Sequence, residues 1–132
     1  MRNKELADKW FVFANDDLKI INDVIKAGVY HLACFHAQQS AEKSLKGFII
    51  FYKGELKKTH SLIELLNEAV KLNKDCDRFR EYCLTLDRYY IPTRYPDALP
   101  GSMPEGLPGK ERAKESFKYA QEILNFITLL VK

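Results

Sequence analysis

Residues 30–53 read YHLACFHAQQSAEKSLKGFIIFYK, and this stretch decides the fold. A rotation of about 100° per residue puts Ala33, Ala37, Ala41, Ser44, Phe48 and Phe51 on one arc of a predicted helix. Small side chains on that arc let a neighbouring helix approach closely. The opposite arc carries His36, Gln39, Lys43 and Lys46, with Leu32 and Ile50 among them. Gln38 falls nearer the apolar side, where a buried amide needs partners. Gly54 ends the helix.

The segments on either side repeat the same period. Upstream, residues 4–26 carry Phe11, Ala14, Leu18, Ile21 and Ile25 at three- and four-residue steps. A second stripe, Leu6, Trp10, Phe13, Ile20 and Val24, widens the apolar arc to that of a helix packed on more than one side. Gly28 is the stop. Downstream, residues 61–73 open with Ser61 and Glu64 at capping-box spacing, and Leu62, Leu65, Leu66, Ala69 and Val70 form the buried stripe. Residues 76–90 are expected to form one further helix with Phe79, Tyr82, Cys83, Leu86, Tyr89 and Tyr90 turned inward or toward a partner, ending before Pro92.

Residues 92–109 differ in kind. All five prolines lie here, with Gly101, Gly106 and Gly109, so the segment is expected to be a long loop of the functional sort. A last helix is expected over 110–131, with one stripe of Ala113, Phe117, Ala120, Leu124, Ile127 and Val131 and another of Tyr119, Ile123, Phe126 and Leu130. No strand alternation or internal repeat appears. The reading is an all-α, up-and-down bundle of about five helices in a single domain, 1–132, with a long Pro/Gly loop before the last helix. The two-sided apolar character of that last helix predicts a homodimer or a covering partner protein.

The chain has 132 residues, 46% apolar and 30% charged, enough to bury a core without staples. It has no apolar run of roughly 18 residues and no signal-peptide core, which excludes a membrane role and predicts a cytoplasmic location. Cys34, Cys76 and Cys83 show no CxxC spacing and read as small buried hydrophobes. His31 and His36 are five residues apart, on different helix faces, with no HExxH pattern, so neither a metal nor a cofactor is expected. The adjacent pair Asp16 and Asp17 is splayed around a helix and reads as surface.

The net charge is only +3, but Lys43 to Lys58 holds five lysines against one glutamate, followed by His60. This is either a phosphate-attracting strip or a solvated lysine face. The HAQQSAEKSLK run is either a binding stripe or ordinary amphipathy with Glu–Lys pairing. In Tyr89-Tyr90-Ile91-Pro92-Thr93-Arg94-Tyr95-Pro96-Asp97 an arginine is set between prolines and flanked by tyrosines. Arginine grips phosphate bidentately and tyrosine stacks on bases. Pairing of Arg94 with Asp97 is the structural alternative.

Taken in order, Ala14 with Asp17-Leu18, FHAQQSAEKSLKGFI, THSL and YYIPTRYPD, then a terminal helix, resemble the HEPN (higher eukaryotes and prokaryotes nucleotide-binding) domain family over nearly the whole chain. Such proteins are similar to the all-helical C-terminal domain of kanamycin nucleotidyltransferase. The resemblance implies an up-and-down bundle, frequent dimers, a minimal nucleotidyltransferase as partner, and often a toxin–antitoxin pairing. Ribonuclease members carry an Arg-x4-6-His motif in which imidazole is the acid or base and arginine steadies phosphate charge. This chain lacks it: no histidine follows Arg94. The expected function is therefore nucleotide or RNA-phosphate binding through Arg94, Tyr95, Tyr90, His60, Lys43 and Lys46, with no catalytic residue assigned. The alternatives are a divergent metal-independent endoribonuclease of the same fold and a non-catalytic protein-interaction adaptor.

Overall fold

The computed structural model describes residues 2–56, 58–90 and 106–132. Among these there are five α-helices and one 3₁₀ turn: α1 (Arg2–Lys26), α2 (Tyr30–Lys53), α3 (Leu62–Leu72), the 3₁₀ turn (Lys74–Phe79), α4 (Arg80–Asp87) and α5 (Lys110–Leu130). No strand occurs among the described residues. Most of the expected Pro/Gly loop, together with Arg94 and Tyr95, lies outside them.

The reversal from α1 to α2 is set by Gly28, whose φ of 78° lies in the left-handed region. The Val29 amide donates to the Val24 carbonyl at 3.1 Å and the Gly28 amide to Ile25 at 2.9 Å. This paired bonding closes a Schellman motif and satisfies carbonyls that a bare helix end would orphan.

α2 is the central helix and touches α1, α3, α4 and α5. Its small residues serve that position. Ala33, Ala37 and Ala41 are fully buried, and Ser40 Oγ donates to the Ala14 carbonyl of α1 at 2.8 Å. At Gly47 a Cβ would meet the Phe11 ring at 2.5 Å, so a side chain has no room against α1 at this position.

The Ser61–Glu64 cap forms as its spacing predicts, the Ser61 hydroxyl accepting from the Glu64 amide at 3.2 Å. A second cap comes from outside the helix. The Asp87 carboxylate, at the end of α4, accepts from the Leu62 amide at 2.7 Å and the Ile63 amide at 3.2 Å. Burial raises the Asp87 pKa above its ordinary value, against these two bonds, which lower it.

The single helix expected over 76–90 is broken. Asn73 accepts from the Asp75 amide at 2.9 Å, an Asx turn that starts a 3₁₀ segment before α4 begins at Arg80. The second apolar side of α5 is also accounted for inside the chain. Tyr119 stacks on Tyr82 with centroids 3.9 Å apart, and Phe126 meets Phe79 edge-on at 5.2 Å.

Candidate functional site

Two carboxylates inside the bundle organise the polar side of α2. Asp17 of α1 is only 9% exposed and Glu42 of α2 only 4%. Each holds one imidazole and one lysine. Asp17 Oδ1 lies 2.9 Å from His36 Nδ1, and Asp17 Oδ2 accepts from Lys43 Nζ at 2.6 Å. Glu42 Oε2 accepts from Lys46 Nζ at 2.8 Å and lies 3.2 Å from His60 Nδ1.

The expectation of a surface role for Asp17 is corrected by this geometry. Asp17 follows Ala14 by three residues and precedes Ile21 by four, and both are fully buried, so it sits on the core stripe of α1. Its charge is answered from α2, and that pairing makes burial tolerable. The same principle explains Glu42. Gln38, Glu42 and Lys46 succeed one another at four-residue steps and are all buried.

The buried amide of Gln38 finds its partners. It donates to the His60 carbonyl at 3.1 Å and accepts from Gln39 Nε2 at 2.7 Å. The Gln38 bond ties the segment before α3 to the middle of α2 and fixes the height of His60. The His60 ring lies parallel to Tyr90, with centroids 4.9 Å apart and planes 15° apart. Tyr90 in turn tilts against Phe35 at 6.2 Å, and Phe35 meets His36 edge-on at 5.7 Å. A run of rings thus joins the two imidazole–carboxylate couples across one face of the bundle.

Of the residues singled out in the sequence, His60 and Tyr90 are in direct contact, and Lys46 joins them through Glu42. Lys43 points to the other couple. Arg94 and Tyr95 lie outside the described residues. Lys43 and Lys46 are each matched by a buried carboxylate, so this part of the lysine-rich stretch is an internal ion-pair ladder. Farther along, Lys53 meets Glu68 at 3.4 Å. Asp17, Glu42, Phe35 and His36 were not among the candidate site residues of the sequence reading, which gave Asp17 a surface role and Glu42 a pairing with lysine; the Glu42–Lys46 pair forms. The spacing of Asp17 between buried Ala14 and Ile21 was the available signal.

An imidazole whose Nδ1 is held by a carboxylate presents Nε2 outward, oriented for hydrogen bonding or proton transfer. The side chain of His60 is 61% exposed, whereas that of His36 is 22% exposed. His60 thus offers the more open edge. Among the described residues no group of His, Cys, Asp and Glu converges in a way that could hold a metal ion. None of their helices is long and apolar enough to cross a membrane.

Comparison with known proteins agrees with this architecture. The HEPN domain profile matches residues 7–130. A candidate toxin of Methanocaldococcus jannaschii is 26% identical over 128 residues, covering 90% of this chain and 84% of that protein. Among solved structures, a Thermus thermophilus protein superposes with a TM-score of 0.77 at 36% identity, over 93% of this chain and 96% of its own. An archaeal HEPN homologue gives 0.73 at 33% identity, over 96% and 98%. A HEPN domain protein of Thermotoga maritima gives 0.72 at 27%, over 93% and 97%.

Proposed function

The chain belongs to the HEPN domain family, and from that premise we propose that it binds a nucleotide or an RNA phosphate and acts with a minimal nucleotidyltransferase as one half of a toxin–antitoxin pair. The M. jannaschii candidate toxin supports the pairing. One observation carries the binding reading. His60 is fixed by Glu42 at Nδ1 and backed by Tyr90 across one ring face, with most of its side chain still open to solvent. A ring held this way can stack on a base with its outer face and offer Nε2 to a phosphate. Tyr90 supports His60 in this site. In this reading Arg94, four residues beyond Tyr90 in sequence, grips the phosphate, and Tyr95 or Tyr90 serves as a stacking surface for a base. Lys43 and Lys46 contribute by holding the carboxylates that position the imidazoles.

The test is calorimetric titration of ATP, GTP and a short single-stranded RNA into the wild type, His60→Ala and Arg94→Ala. Binding weakened about tenfold or more in each variant supports the site, because a charge-assisted contact to phosphate is worth about 1.5–3 kcal/mol. Equal affinity in all three proteins rejects it.

The two imidazole–carboxylate couples favour a second reading, the divergent endoribonuclease. Two oriented imidazoles are the elements of general acid–base chemistry on a phosphodiester. Incubation with RNA, beside His36→Ala and His60→Ala controls, decides between the readings. Cleavage abolished in both variants selects the enzyme.

A further inference from the structure

Between the two imidazole–carboxylate couples α2 carries a further polar side chain, Gln39, three residues after His36 and three before Glu42. It is half-buried. Its amide nitrogen donates to Gln38 Oε1 at 2.7 Å and to Glu42 Oε1 at 3.5 Å. The same Glu42 oxygen lies 3.3 Å from His60 Nδ1. The amide of Gln39 and the ring of His60 thus converge on one carboxylate oxygen.

A chain of hydrogen bonds fixes which way this amide points. The His60 carbonyl can only accept, so Gln38 turns its Nε2 toward it, at 3.1 Å, and its Oε1 the other way. Gln38 Oε1 and Glu42 Oε1 are both acceptors, so Gln39 meets them with its NH2 group, one hydrogen to each. Reversing the Gln39 amide would set three oxygens against one another. What Gln39 has left to offer is its carbonyl Oε1, to which no group among the described residues donates.

We infer, on the reading that a nucleotide stacks on His60, that Gln39 selects the base: its Oε1 accepts from the exocyclic amine of an adenine lying on the open face of the imidazole. Stacking alone does not discriminate, because every base has a π-face. A purine is longer than an imidazole, so with its phosphate at Nε2 it overhangs the ring on the Nδ1 side, toward Gln39. Adenine carries an amino donor at its 6-position, whereas a 6-oxo purine carries an acceptor there. The neighbouring lysines are already engaged, Lys46 by Glu42 at 2.8 Å and Lys43 by Asp17 at 2.6 Å. A keto oxygen would therefore lie undonated among the oxygens of Gln39, Gln38 and Glu42, and a buried acceptor without a donor is costly. Turning the base so that its N1–H reaches Gln39 keeps that oxygen beside the same acceptors. The site takes amino-bearing bases, adenine ahead of cytosine because a purine stacks over more area.

Calorimetric titration of the full chain with ATP and ITP reads this choice, since the two differ at the purine 6-position and in the N1 proton that goes with it. CTP and UTP repeat the comparison in pyrimidines. The wild type binds ATP about tenfold tighter than ITP, and CTP tighter than UTP. Gln39→Leu brings ATP and ITP within about twofold of each other by weakening ATP. Gln39→Lys keeps a donor for Gln38 Oε1 and Glu42 but has no acceptor, so it folds even where Gln39→Leu fails to, and it abolishes the preference equally. Any attraction its charge adds for phosphate is common to both ligands and cancels in the ratio. Equal or reversed wild-type affinity for ATP and ITP, with binding of both weakened by His60→Ala, leaves the His60 site standing and overturns the role of Gln39. A preference for ATP that Gln39→Lys retains overturns it as well. Absence of binding by all four nucleotides overturns the site and this inference together.

Discussion

The imidazole of His60 rests flat on the ring of Tyr90, centroids 4.9 Å apart, while its Nδ1 points to the buried carboxylate of Glu42. Two residues thirty positions apart in sequence thereby share one orientation. His60 belongs to the segment before α3, and Tyr90 closes the turn after α4. Their contact fastens the entrance of α3 to the start of the proline-rich stretch.

Tyr90→Leu is expected to release the His60 ring without unfolding the bundle. The His60 imidazole protons lie over an aromatic face and are shielded by it, so their NMR resonances should move downfield in the variant. Loss of a stacked aromatic pair should also lower stability by about 0.5–1.5 kcal/mol. Unchanged His60 resonances would show that the stacking is not maintained in solution.

Glu42 and Lys46 make a second relationship with a measurable cost. Glu42→Leu leaves Lys46 buried against an apolar side chain and should destabilise the chain by about 3–5 kcal/mol, the cost of orphaning one member of a buried pair. Lys46→Met removes the other member and should cost less, because His60 still faces Glu42. The double variant should recover most of the loss, since a buried ion pair replaced by apolar residues of similar volume is often neutral. Urea unfolding with unchanged m-values measures all three. Additive single costs in the double variant would show that the two side chains are not coupled.

The helices were legible because their cause is local. Alternating three- and four-residue steps, Gly28 and Gly54 at left-handed positions, and Ser61 at capping distance from Glu64 all act within one element. The break at the 3₁₀ turn was equally local, in Asn73 and Asp75, but the apolar period running through Phe79 and Cys83 masked it. The site was less legible because its partners come from different elements. His60 could be named as a candidate from its type and position. That Glu42 would fix its Nδ1 depends on where the segment after α2 crosses back, which the Gln38 bond to the His60 carbonyl settles in three dimensions. Asp17 was misplaced for a related reason. Paired with Asp16 it reads as surface, and only the lysine and histidine of a neighbouring helix make a core position tolerable for it.

The three cysteines give a prediction about alkaline stability. Burial is the main cause that raises each thiol pKa: Cys34 to about 11, even though the Ser116 hydroxyl lies 3.5 Å from its sulfur, Cys76 to about 11, and Cys83 to about 12. In the unfolded chain these groups ionise near their ordinary value of 9.0. A folded pKa above the unfolded one means that the thiol's contribution is complete below pH 9.0 and is lost as pH rises through the folded value. Each buried thiol should therefore remove about 1.4 kcal/mol of stability per pH unit across that window. Buried Tyr89, whose pKa burial also raises, adds to the slope at its upper end. Urea midpoints followed from pH 8 to pH 11 should fall steeply for the wild type and less steeply for Cys83→Ala. At pH 8 a thiol reagent should label the folded protein far more slowly than the protein in denaturant, because all three sulfurs are buried and protonated. Equal labelling rates in the two states would place at least one thiol at the surface, contrary to the packing of α2, the 3₁₀ turn and α4.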